Sequence, residues 1–227
     1  MIHTSKERIS IQVTLSGYSF KIYKGEEKRS SGWLGAERVF TTPEFMNRYE
    51  DVEIGLLTPK CALIPEQFFK ADKAAALLAD TVRIRPQDKV DYVPVHDYGA
   101  VLVFSNTIDE SLSRVISQSV LNEAGESTRV LPELYHILSH LQECGEYNRI
   151  LASYRDGYLH LAISQGRSLL LANVYEAVDF TTAEYHIFSA LKALQMNPEV
   201  STICFRTPLD AEQEMSLYRY FKSVEQI

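Results

Sequence analysis

The stretch "ASYRDGYLHLAIS", residues 152–164, decides the fold. An Asp-Gly pair set between alternating apolar residues is the strongest short-range hairpin signal, because a two-residue type I′ turn needs positive φ at both of its positions. With Asp156-Gly157 as that turn, Ile150, Ala152 and Tyr154 face Ile163, Leu161 and Leu159, and the register needs no bulge. The same dipeptide also suits a phosphate grip. An acid can hold magnesium or its waters, and a glycine lets backbone N–H groups approach phosphate oxygens. The surrounding sequence has to decide between the two.

Downstream, a turn at Gln165-Gly166 leads to a third strand over 168–174. Thr181 with Glu184 reads as a capping box for a helix that carries Ile187, Phe188, Leu191 and Leu194 inward. Asn197-Pro198 stops that helix, 200–205 reads as a strand, and Asp210 caps a last helix to about Val224 with Met215, Tyr218 and Phe221 along one side. Upstream, "TRVLPELYHILSHL" (128–141) places Leu134, Ile137, Leu138 and Leu141 at helical spacing, with Pro132 at the first helical position and Gly145 as the stop. A strand over 100–104, a helix over 109–121 with Leu112, Val115, Ile116 and Val120 inward, and a break around Gly125 precede it.

The beginning of the chain has the same grammar. Residues 9–23 read as a hairpin with Ser16-Gly17 as a two-residue turn, pairing Ile11, Val13 and Leu15 with Ile22, Phe20 and Tyr18. The polar segment "KGEEKRSSG" (24–32) reads as a mobile loop, 33–40 as a third strand, and Thr42-Pro43 as the opening of a short helix to about Tyr49. One or two strands follow over 52–64. Pro65-Glu66 then opens a helix with Phe68, Phe69, Ala71, Ala75, Leu78 and Ala79 on its apolar face, and a further strand covers 90–95. Hairpin, third strand, helix, strand and helix thus recur, starting near Ile9 and near Ile150, and Ser16-Gly17-Tyr18 stands where Asp156-Gly157-Tyr158 does. The repeat is one of pattern rather than of residues.

In that order of elements the chain resembles the actin-like ATPase superfamily, and its middle segment resembles the crossing segment of the pilus-assembly and secretion-system members. Through "LSGYSFKIY" (15–23) and "LLLANVYEAVDFTTAEYHIFSAL" (169–191) nearly the whole chain is similar to a family of uncharacterised Bacteroidetes-type proteins. The resemblance implies an α/β fold of two ribonuclease-H-like subdomains, each with three antiparallel strands and then alternating helix and strand. The expected divisions are 1–105 for the first subdomain, 106–147 for the connecting helices and 148–227 for the second.

Composition bounds the function. The 227 residues are 45% hydrophobic and 23% charged, enough to bury a sizeable core. A net charge of −7 and a pI near 5.4 repel phosphate backbones and anionic lipid heads, so neither nucleic acid nor membrane insertion is expected. "MIHTSKERIS" has no apolar run of signal-peptide length, and a cytoplasmic location is expected. Cys61, Cys144 and Cys204 lie far apart in apolar settings and read as buried reduced thiols.

A nucleotide-binding member of the superfamily implies three features: an Asp and a Gly in the first hairpin turn, a similar turn in the second half, and a later Gly-Gly turn that admits adenosine. Here the first turn offers Ser16 and Gly17 without a carboxylate. The second offers Asp156 and Gly157, and "TICFRTPLDAEQE" (202–214) has no glycine at all. Asp97 and Gly99, in "VHDYGAVLVF" (95–104), read as a turn leading into a strand. His136 and His140 have metal-pair spacing but no third ligand, and read as an exposed helix face. His96, His160 and His186 read as structural.

The expectation is a non-catalytic protein with an actin-like fold, a scaffold or protein-binding module with an unknown protein partner and no cofactor. Thirteen tyrosines and Trp33 suit an interface, and the segment ending at Trp33 and "LYRYF" (217–221) are its candidate surfaces. The alternative is an ATP-binding protein or kinase-like phosphotransferase with ATP and magnesium at Ser16, Gly17, Asp156 and Gly157. A metal-dependent hydrolase would need convergent acids on the strands, and 9–15 has none.

Overall fold

A computed structural model of the chain describes residues 7–105 and 110–227. In chain order the strands and α-helices are β1 (Glu7–Val13), β2 (Gly17–Lys24), β3 (Glu27–Gly35), β4 (Arg48–Tyr49), β5 (Asp51–Leu56), β6 (Cys61–Pro65), α1 (Ala74–Ala79), β7 (Val90–Val95), β8 (Ala100–Ser105), α2 (Glu110–Ser119), β9 (Leu121–Asn122), β10 (Leu131–Pro132), α3 (Glu133–His140), β11 (Asn148–Arg155), β12 (Tyr158–Gln165), β13 (Ser168–Glu176), α4 (Phe180–Ala193), β14 (Thr202–Phe205), α5 (Ala211–Tyr218) and β15 (Ser223–Gln226). They group into two compact units, Met1–Leu56 with Ile108–Leu131 and Leu57–Thr107 with Pro132–Ile227.

Unit 1 is built on a sheet of order β10-β5-β1-β2-β3. β1 to β3 are antiparallel neighbours and β5 lies parallel to β1. The period of two along each strand sends Ile9, Ile11, Val13, Tyr18, Phe20, Ile22, Val52 and Ile54 to one face, where Leu112, Ile116 and Val120 from α2 and its C-terminal end complete a core. The opposite face is polar and still buried. Ser10 Oγ donates to Glu53 Oε1 at 2.8 Å and accepts from Gln12 Nε2 at 2.9 Å, and Lys21 is also buried there.

Unit 2 repeats this order as β13-β12-β11-β14-β15. Again three strands are antiparallel and the fourth is parallel to the first, as ribonuclease-H-like subdomains require. Ile150, Ala152, Leu159, Leu161, Ile163, Ile203 and Phe205 meet Ala183, Ile187, Ala190 and Leu191 of α4 and Leu217 of α5. Burial of each Leu, Ile or Phe among these contributes about 1.5–3 kcal/mol. A smaller antiparallel sheet, β6-β8-β7, packs with α1 around Leu78, Val101 and Val103.

Several local expectations are corrected. The first hairpin pairs Val13 with Tyr18, Ile11 with Phe20 and Ile9 with Ile22, two residues away from the register expected with a Ser16-Gly17 turn. The slip is even, so every apolar side chain keeps its face, and Leu15 moves to the loop tip, where it is 61% exposed. The charged segment after Lys24 is not a loop. β3 begins at Glu27 and pairs Lys28 with Tyr23 and Arg29 with Ile22, because an edge strand tolerates charge on its open side. Residues 36–40 leave the sheet as a 3-10 turn, and the helix expected after Pro43 is a single 3-10 turn, Pro43–Met46. The helix expected from Pro65 is α-helical only over Ala74–Ala79, with Phe68 66% exposed.

In unit 2 the second turn is Gly166-Arg167, one residue later than expected, since Gln165 pairs with Ser168. Asp179, not Thr181, caps α4, and α5 stops at Tyr218. The chain then turns into β15, where Val224 joins the core beside Phe221 and leaves Met215 exposed.

Candidate functional site

The expected site residues fall on two hairpin turns, one in each unit. In unit 1 the β1-β2 loop closes when Thr14 N–H donates to Gly17 O at 2.9 Å. Thr14 is buried, and its hydroxyl oxygen accepts from Ser16 N–H at 3.2 Å and lies 3.2 Å from Ser16 Oγ. These bonds make the loop longer than the sequence pattern suggests. Ser16 is exposed at its tip, and its carbonyl accepts from Ala36 N–H at 3.2 Å. Gly17 is buried against β3. A Cβ there would fall 2.0 Å from Leu34 O, so packing of two backbones requires this glycine.

In unit 2 the turn is minimal. Asp156 has φ +50° and Gly157 φ +81°, and the flanking pair is Arg155 with Tyr158, the type I′ geometry expected of Asp-Gly. A Cβ on Gly157 would meet only Ala177 O, at 3.9 Å. The Asp156 carboxylate lies 3.6 Å from its neighbour Arg155 Nε. Ala177 N–H donates to Gly157 O and so brings the segment before α4 to this turn. A helix N-terminus is a natural anion site. Here Asp179 occupies it, with Oδ1 accepting from Thr182 N–H at 2.7 Å and from Thr182 Oγ1 at 2.6 Å. Those bonds hold the Asp179 carboxyl below the usual carboxylate range.

At the end of β14, where the resemblance implies an adenosine-admitting turn, the chain is filled by its own side chains. Arg206 N–H donates to Ala152 O at 2.9 Å, and Thr207 Oγ1 accepts from Tyr154 N–H at 3.0 Å. The Arg206 guanidinium turns into the protein and pairs with Glu133 of α3, Nε to Oε1 at 2.8 Å, while Ser153 Oγ donates to the same oxygen at 2.7 Å. Glu133 is completely buried and Arg206 nearly so. His160, on the same sheet face and fully buried, donates from Nε2 to Thr58 O at 3.1 Å. Burial pushes its imidazole below the ordinary histidine range.

His160 is structural as expected, and so is His186, whose Nε2 donates to Glu176 O at 3.2 Å. His136 departs from expectation. It is buried in the helix, 5% exposed, because α3 presents that face to the strands of unit 2. His140 Nδ1 lies 2.9 Å from Glu143 Oε1. No group of three metal-ligating side chains converges among the described residues. Asp97 and Gly99 form the turn between β7 and β8, with Gly99 at φ +55°. All three cysteines are free and buried, and burial pushes the Cys61 thiol up to about 12. The fold also brings together Cys144 and Cys204, whose thiols influence one another. That interaction lowers Cys144 and raises Cys204. Neither this pair nor Glu133–Arg206 was visible in the sequence, since their members come from distant segments.

A family model described as a protein of unknown function (DUF3822) matches residues 1–224. The chain belongs to the DUF3822 family. A comparison with curated protein sequences finds no match. Among solved structures, this family member is similar to a Bacteroides thetaiotaomicron protein with actin-like ATPase fold and unknown function, at 18% identity over 100% of this chain and 94% of that one, with a TM-score of 0.64. It also matches a PilM-PilN type IV pilus biogenesis complex, at 12% identity over 97% of this chain and 88% of that one, TM-score 0.49. An Aquifex aeolicus PPX-GPPA enzyme aligns at 11% identity over 95% of this chain and 73% of that one, TM-score 0.34. The fold is that of the actin-like ATPases. Among the described residues no helix is long and apolar enough to cross a membrane.

Proposed function

We propose that this DUF3822 protein keeps the actin-like fold without nucleotide chemistry and acts as a scaffold or protein-binding module. The observation that carries the reading is the buried Arg206–Glu133 pair, which fills the end of β14 where an adenosine-admitting glycine turn is expected. Two others agree with it. Gly17 answers to the Leu34 carbonyl, and at the α4 N-terminus the Thr182 N–H is taken by Asp179.

The competing reading is an ATP-binding protein or kinase-like phosphotransferase. It rests on the exposed Asp156 carboxylate and on Ser16, both at turns where magnesium or phosphate would be held.

A thermal-shift titration with ATP, ADP and magnesium separates the two. No saturable shift at millimolar ligand is expected. A ligand present at 100 times its dissociation constant would stabilise the fold by about 2.7 kcal/mol. A saturable shift of that kind, abolished by Asp156→Ala, would overturn the proposal.

A further inference from the structure

Each five-stranded sheet ends in its third strand, so β3 and β13 occupy equivalent edges. An edge strand presents unpaired N–H and C=O groups and recruits another strand unless charge, glycine, proline or a bulge blunts it. β3, "EKRSSGWLG", is blunted by Glu27, Lys28 and Arg29, and by Gly32 at φ +66°. β13, "SLLLANVYE", has no charge before Glu176 and neither glycine nor proline. Its one irregularity leaves Leu170 as the extra residue between Leu169, opposite Ser164, and Leu171, opposite Ile163, and Leu170 is 39% exposed.

The backbone direction of β13 follows from its last bond. Ala177 N–H bonds to Gly157 O, and in an antiparallel ladder every second residue directs its backbone to the neighbouring strand. Leu171, Asn173 and Tyr175 therefore point their N–H and C=O groups at β12, while Ala172, Val174 and Glu176 point theirs outward. Among the described residues no strand pairs with that side, and of these groups the Glu176 carbonyl alone is engaged, by His186 Nε2 at 3.2 Å. Tyr175 stacks on His186 of α4 with ring centroids 4.7 Å apart, which fixes the strand against the body of the unit.

We propose that β13 is the contact strand of a two-fold homodimer, in which two copies of the chain pair antiparallel about Ala172 and join their sheets. The charges at the two ends of the strand select this occupant. Arg167 precedes β13 and Glu176 ends it; both are exposed, and neither side chain has an ion-pair partner among the described residues. Antiparallel pairing sets each Arg167 against the Glu176 of the other copy, twice over by symmetry. Parallel pairing would oppose like charges at both ends. The strand is thus complementary to itself in one direction only. The inference is independent of whether nucleotide binds.

Sedimentation equilibrium of the full chain from micromolar to millimolar concentration tests it, on the wild type, Arg167→Glu, Glu176→Arg and the double reversal. A reversible dimer is expected. Each single reversal should weaken it about tenfold, as two exposed pairs become like-charge contacts, and the double reversal should restore it. Both positions are solvent-facing, so circular dichroism should be unchanged in all variants. A monomer at every concentration, a dimer indifferent to single reversal, or a dimer that the double reversal fails to restore would each overturn the proposal.

Discussion

The two hairpin turns occupy equivalent places in a duplicated sheet and are held by different forces. The unit 1 turn is locked by packing, with Gly17 pressed on the Leu34 carbonyl and Thr14 buried beneath the loop. The unit 2 turn is held by its own dihedral angles, Asp156 and Gly157 both at positive φ, and a Cβ on Gly157 would meet only Ala177 O at 3.9 Å. A glycine at a turn therefore has two separate meanings in one molecule, and only the second can be read from the local sequence.

The largest expected effect lies on the second face of the unit 2 sheet. Unit 2 buries a charge pair on that face, so Arg206→Ala should leave Glu133 buried without its cation and cost about 3–5 kcal/mol in chemical denaturation. A loss under about 1 kcal/mol would mean that the pair is not desolvated as its burial implies. Next is Gly17→Ala. Relief of the clash requires β2 and β3 to separate, with an expected cost of about 2–3 kcal/mol.

A third test uses pH. Residues 7–56 and 110–131 contain no histidine, so a histidine-linked slope cannot come from the described part of unit 1. His160 has a depressed imidazole pKa in the fold. The unfolded chain therefore binds the extra proton first as pH falls. Its contribution is complete above about pH 6.5, the ordinary histidine value, and is lost from there down to its folded value, with a slope of at most ~1.4 kcal/mol per pH unit. Denaturation midpoints for the wild type and His160→Gln over this window should show the slope shrinking in the variant; an unchanged slope would assign it to another group. The smallest effect is expected for Gly157→Ala, about 1 kcal/mol, from left-handed backbone strain alone. If this variant proved costlier than Gly17→Ala, the distinction between the two turns would fail.

Where local rules act alone, the sequence was legible. Asp156-Gly157 dictates a turn type, and the register of β11 with β12 follows residue by residue. Ser16-Gly17 looked like its counterpart, yet the Thr14 hydroxyl and the approach of β3 lengthen that loop, and neither is a property of the two residues. The apolar faces were still assigned correctly, because a slip of two preserves a period of two. β3 was hidden by its own charges, which suit an edge and read as a loop. Glu133 and Arg206 lie 73 positions apart and were out of reach of any spacing argument. What a sequence could offer was only that each charged residue stands at the end of an apolar run.

The first loop has a further consequence for protein engineering. Its buried members, Thr14 and Gly17, hold the backbone, while Leu15 and Ser16 project into solvent. A carboxylate at Leu15 would replace a side chain that is 61% exposed, whereas at Ser16 it would replace the hydroxyl that lies 3.2 Å from Thr14 Oγ1. The missing acid is therefore not a requirement of folding in this loop. Leu15→Asp or Ser16→Asp places a carboxylate in this turn, and magnesium and ATP titration of the variant against the wild type measures what that acid alone adds.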